Sequence, residues 1–206
     1  NYLSRLGWSH GDDEIISIEQ AIEWFDLDAV GKSPSRFDLD RLESVNQHYL
    51  REVDTETLIE LLMSRLDCTS CAVETVRKRL AAGLSSLTER AKNLNDLAEM
   101  ARFYADAPTF PLQNTKAAKL LDEDGITHLT DFAAKLQSLD GWIEADLEQT
   151  ARDFVAARNI GLGKLAQPLR VALTGSNASP GIFEVLHILG KEESLTRLLA
   201  VPGTQR

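Results

Sequence analysis

Cysteine, basic charge and long apolar runs are all scarce in this chain of 206 residues. Two cysteines cannot staple a disulfide-dense secreted scaffold. No apolar run approaches the roughly 18 residues that a membrane-spanning helix needs. No charged-then-apolar leader opens the sequence, so a soluble, cytoplasmic protein is expected. Lysine and arginine total 22 against 32 acidic residues, a net charge of −10, which argues against nucleic-acid binding through a broad basic face. Any nucleic acid must be read locally. Strand-like alternation over five or more residues is also missing, which removes the sheet classes. What is abundant is hydrophobic mass, 43% of residues, enough to close a core and to exclude disorder as the main state.

The apolar positions recur at three and four. Leu39, Leu42, Val45 and Tyr49 form one such series and Leu94, Leu97, Ala101 and Tyr104 another, the period of helices. Start signals agree. Ser17 and Gln20 have capping-box spacing, Asp38 and Asp54 precede apolar runs, and Ser179-Pro180 sets a capping hydroxyl before a proline. Gly7, Gly83, Gly161, Gly175 and Gly190 follow apolar stretches where a left-handed residue would end a helix. The fold class expected is all-α, small helical modules in series, with about ten helices of roughly eight to seventeen residues. The stretch 31–35 breaks the chain early. The two prolines of 107–111 interrupt it midway, placing the main boundary near residue 110, and 121–125 (LDEDG) is a second candidate loop.

Chemistry-bearing patterns are thin. Cys68 and Cys71 form a C-x-x-C, but a structural zinc needs two more ligands, and His10, His48, His128 and His187 stand singly. No metal and no cofactor is expected in this chain. The run His10-Gly11-Asp12-Asp13-Glu14 has the composition of a turn. Gly161-Leu162-Gly163-Lys164 fails the Walker pattern, which needs glycine at Arg158 and Ser or Thr at Leu165. No catalytic residue can be nominated. Trp8, Trp24 and Trp142 read as core rather than base-stacking platforms. Arg170 is unusual, because a guanidinium inside Leu165-Ala166-Gln167-Pro168-Leu169-Arg170-Val171-Ala172-Leu173 either pairs with a buried carboxylate or points at a ligand.

Longer matches carry more weight than these fragments. The opening 1–14 (NYLSRLGWSHGDDE) comes first, then Arg36-Phe37-Asp38 through Asn46 to Tyr49-Leu50-Arg51. The end carries 166–175 (AQPLRVALTG), Ser179-Pro180-Gly181-Ile182-Phe183-Glu184-Val185-Leu186 and Leu189-Gly190-Lys191-Glu192. Together they resemble the bacterial glutamyl-tRNA synthetases, strongly at both ends and more weakly from about 55 to 140. The resemblance implies a piece of a longer class I enzyme whose Rossmann-type catalytic domain, with H-I-G-H-like and K-M-S-K-S-like motifs, would lie before Asn1. The parent would ligate L-glutamate to tRNA(Glu) with ATP and Mg. Residues 1–54 would end the stem-contact region, 55–110 would form a first helical anticodon-binding subdomain and 111–206 a second.

The same resemblance assigns a site. Arg170 of the Q-P-L-R motif and the helix start Ser179, Pro180, Gly181 and Ile182 would meet the first two anticodon bases, with Ser179 capping the helix and Ile182 against a base face. Arg90, in Thr88-Glu89-Arg90-Ala91-Lys92-Asn93-Leu94, would read the third, with Lys92 and Lys164 as additional tRNA contacts. The partner implied is tRNA(Glu), extended to tRNA(Gln) if the parent does not discriminate, with a monomeric chain and no membrane. The competing class is a helical protein–protein interaction module derived from a synthetase tail, without RNA binding.

Overall fold

The computed structural model describes residues 1–32, 34–68 and 71–204. Among them are twelve α-helices and one 3-10 turn, and no strand. In chain order the helices are α1 (Tyr2–Gly7), α2 (Ile18–Trp24), α3 (Leu39–Glu52), α4 (Thr55–Met63), α5 (Val73–Thr88), α6 (Leu94–Ala105), α7 (Thr115–Ala118), α8 (Glu123–Gln137), α9 (Glu144–Ala157), α10 (Leu162–Thr174), α11 (Ile182–Leu189) and α12 (Lys191–Leu199). The all-α expectation holds, with two more helices than anticipated and lengths from 4 to 16 residues. No helix among the described residues is long and apolar enough to cross a membrane.

Local rules set most boundaries. Ser17 and Gln20 close a reciprocal capping box on α2, and the Asp38 and Asp54 carboxylates accept from the third-residue amides of α3 and α4. The prolines at 108 and 111 lie between α6 and α7, where no helix runs. Ser33, inside the early break at 31–35, lies outside the described residues. Other expectations need correction. The 121–125 stretch is no free loop: Asp122 caps α8, which begins at Glu123 and includes Gly125. Gly7 lies within α1 and Gly161 opens α10. Gly83 sits inside α5, fully packed rather than terminal, because a Cβ there would overlap the Tyr104 hydroxyl of α6. Gly175 and Gly190 are the helix ends expected of left-handed residues, at φ +72° and +82°.

Packing proceeds in steps along the chain. α1 leans on α3 and α3 on α5; α4, α5 and α6 pack together; α8 to α12 form a second cluster that meets the first where α11 crosses α5. Leu62, Leu80, Leu87, Leu97, Leu129 and Leu136 are fully buried along this path, each worth about 1.5–3 kcal/mol of apolar burial. The α3 stripe is rotated from the one expected. Val45 and Leu50 are buried, whereas Leu39 remains 64% exposed and Tyr49 39%.

Candidate anticodon-recognition site

Two segments remote in sequence meet at one serine. In the last turn of α5 the Leu87 carbonyl accepts from both Arg90 N and the wholly buried Ala91 N, and Arg90 beyond the helix end is exposed. Its Nη1 donates to Ser179 O at 2.7 Å. Arg170 lies in the penultimate turn of α10 between the buried Leu169 and Val171, and its Nε donates to Ser179 Oγ at 2.8 Å. Ser179 Oγ in turn donates to Pro180 O at 2.9 Å.

The loop carrying Ser179 is held from both ends. Gly175 turns the chain out of α10 at a φ that side chains rarely adopt. Ser176 N donates to Thr174 Oγ1 and Ala178 N to Ser176 Oγ. Beyond it, α11 starts at Ile182 with Gly181 as its cap and no side-chain acceptor on its first amides. The expected capping role of Ser179 is therefore corrected: its hydroxyl is committed to Arg170 and Pro180, and the helix starts two residues later than a serine cap at 179 would place it. Ser86 Oγ donates to Glu184 Oε1 at 2.6 Å, tying α11 to α5.

Arg90, Ser179 and Pro180 stand at the edge of an open cleft of about 860 Å³. Its other walls are the outer face of α6, residues 106–114 and the start of the 174–180 loop. Among the described residues neither Arg90 nor Arg170 is ion-paired to a carboxylate. Burial, and then the nearby Arg90 charge, pull the Arg170 guanidinium below its usual range. An arginine remains charged under any such shift, so two cations stand close together with only neutral oxygens for partners.

The remaining nominated residues fall elsewhere. Ile182 is 5% exposed and packs into the core, and Gly181 is exposed at the foot of α11. Lys92 donates to Glu43 of α3 at 2.7 Å, which raises its pKa, so it belongs to the α3 junction. Lys164 is exposed in the first turn of α10, roughly 9 Å of helix rise from Arg170. Arg102, Thr109 and Asn114 line the cleft without having been singled out; their individual spacing in the sequence carries no signal. The tryptophans do not line it. Trp8 is buried, Trp24 stacks on His10 with centroids 4.2 Å apart, and Trp142 Nε1 donates to Leu186 O. Cys68 and Cys71 are half-buried free thiols, and burial, then Asp106, push Cys68 upward. No group of three metal-ligating side chains occurs among the described residues.

Residues 20–201 match the family described as the anticodon binding domain. The chain belongs to that family. Its relatives include glutamate–tRNA ligases. The chain is 47% identical over 209 residues to glutamate–tRNA ligase 2 of Paramagnetospirillum magneticum, covering 100% of this chain and 44% of the relative. It is 49% identical over 201 residues to glutamate–tRNA ligase 2 of Rhizorhabdus wittichii, covering 96% and 42%. A crystal structure of a glutamate tRNA ligase from Elizabethkingia meningosepticum superposes with a TM-score of 0.78 at 25% identity, covering 96% of this chain and 39% of that one. The chain thus spans less than half the length of the curated relatives it matches.

Proposed function

We propose that this chain recognises the anticodon of tRNA(Glu) as the C-terminal part of a cytoplasmic glutamate–tRNA ligase. The observation that carries the reading is the convergence of Arg90 and Arg170, neither ion-paired to a carboxylate, on Ser179 at the edge of an open cleft. Splayed anticodon bases present acceptor edges, and guanidinium forks held in fixed positions read such edges with few charges. That is how an acidic protein can bind RNA. We assign 1–54 to the end of the stem-contact region and 55–110 and 111–206 to two helical anticodon-binding subdomains of one monomeric chain. Charging glutamate with ATP and Mg belongs to the parent's catalytic domain, whereas this portion supplies selection between tRNA(Glu) and tRNA(Gln).

The rival reading, an interaction module without RNA, draws on the apolar groove between α1 and α2, where Leu3, Ile22 and Phe25 are exposed. Calorimetric titration with the tRNA(Glu) anticodon stem-loop at low salt separates the two. Saturable binding that weakens as salt rises is expected. No binding to that stem-loop, beside an unrelated stem-loop control, overturns the RNA reading.

A further inference from the structure

Arg197 of α12 is 2% exposed, and its guanidinium sits where two helices end. Its Nη1 donates to Phe103 O and to Leu173 O, each at 2.7 Å. Phe103 lies in the last turn of α6 and Leu173 in the last turn of α10, so both carbonyls are among those a helix cannot satisfy internally. Glu193, one turn earlier on α12, holds Arg197 Nε at 2.6 Å. Glu193 also faces Arg79 of α5 at 3.6 Å, and Arg79 Nη1 covers the adjacent carbonyl of Tyr104 at 3.1 Å. A cation on these C-terminal carbonyls complements the negative ends of both helix dipoles.

Stability alone is a weak reason for such a group. Burial disfavours the Arg197 charge, its Nη2 has no hydrogen-bond partner among the described residues, and buried ion networks are often matched or surpassed by apolar packing. Geometry offers a better one. The segment 106–114 leaves from the end of α6 and the segment 174–180 from the end of α10, and both contribute lining to the cleft at whose edge Arg90 and Ser179 stand.

We propose that Arg197 is a positioning residue for anticodon recognition: by bonding Phe103 O and Leu173 O together, it sets the separation of the α6 and α10 ends and so the aperture of the cleft. The inference rests on the anticodon reading above. Glu193 fixes the guanidinium, and lysine cannot replace it, since a single ammonium on a flexible stem cannot hold both carbonyls and Glu193 in one plane.

The test uses the 206-residue chain with Arg197→Lys and, as the milder change at a residue 31% exposed on its side chain, Glu193→Gln. Affinity for the tRNA(Glu) anticodon stem-loop, corrected for folded fraction, is measured beside amide hydrogen exchange. Folded Arg197→Lys should bind about 10-fold more weakly and Glu193→Gln about 3-fold, with faster exchange confined to 106–114 and 174–180. Folded variants with wild-type affinity or unchanged exchange in those segments overturn the proposal while leaving the anticodon reading intact. A wild-type chain that does not bind overturns both.

Discussion

Arg90 and Ser179, 89 positions apart in the chain, are joined by a 2.7 Å hydrogen bond from the guanidinium to the serine carbonyl. Arg170 approaches the same serine through its hydroxyl. One residue thereby aligns two cations that otherwise repel, and each has donors to spare for a ligand.

Removing one of them separates binding from stability. If Arg170 meets the anticodon as proposed, Arg170→Ala should weaken the anticodon stem-loop complex by about 1–3 kcal/mol through the loss of charge-assisted donation. The thermal midpoint should move by little, because the protein partner lost is a single neutral hydroxyl. Calorimetry and thermal melts of the same preparation check this. A large fall in midpoint with unchanged affinity per folded molecule would return Arg170 to a purely structural role.

Arg90 is expected to set the preference at the third anticodon base. Glutamate anticodons end in C, whose O2 and N3 accept, and glutamine anticodons end in G, whose N1 and N2 donate. Facing guanine, donors meet donors, at a cost of about 1–3 kcal/mol. Arg90→Gln can accept as well as donate, so it should narrow the affinity ratio of tRNA(Glu) to tRNA(Gln), chiefly by improving the latter. An unchanged ratio removes Arg90 from the recognition site.

Gly83 and Tyr104 make a separable pair. Gly83→Ala should destabilise the chain by about 1–3 kcal/mol, because the added methyl lands on a fully buried ring. The Tyr104 hydroxyl is buried without a partner among the described residues, and burial, with Glu184 nearby, raises its pKa. Tyr104→Phe should therefore be neutral or stabilising and should recover part of the Gly83→Ala loss. Denaturant melts of the two single variants and the double give the coupling; strict additivity would show that the contact is not the cause.

The Asp54 cap predicts a pH dependence. Thr57 N donates to its carboxylate at 2.9 Å, and this bond, largest among the causes, holds its pKa below the usual 3.8. A carboxyl lowered by folding stabilises the folded state once ionised, so the contribution is complete above about pH 4 and is lost as pH falls through the depressed value. Asp54→Asn, which can still accept from Thr57 N, should melt slightly below wild type at pH 7, with the difference shrinking as pH falls through the depressed value and vanishing below it. A difference that persists there would assign the effect to packing.

Cys68 and Cys71 should hold no stoichiometric metal, since no third and fourth ligand is gathered near them among the described residues. Elemental analysis after dialysis checks this, and one zinc per chain would contradict it.

Particular residues mark how far the sequence could be read. The Ser17, Asp38 and Asp54 caps and the Gly175 and Gly190 ends were legible because each depends on a hydrogen bond or a backbone angle within a few residues. Gly83 was misread because a helix stop and a close helix approach ask for the same residue, and only the position of Tyr104 distinguishes them. Leu39 was expected on a buried face, yet α3 rests on α1 and α5 along a line through Val45 and Leu50. Ser179 had the local signature of a cap, which bonds from Arg170 and to Pro180 supersede.

The sequence by itself determined the all-α class, the caps at Ser17, Asp38 and Asp54 and, through long matches at both ends, the family, because these depend on neighbours along the chain. Only the tertiary structure decided that Arg90 and Arg170 share Ser179, that Ile182 is core and Lys92 belongs to α3, and that Arg197 joins the ends of α6 and α10. The reason is physical. A guanidinium's partner is chosen by which carbonyls packing leaves unsatisfied within its reach, and that depends on how whole helices pack against one another.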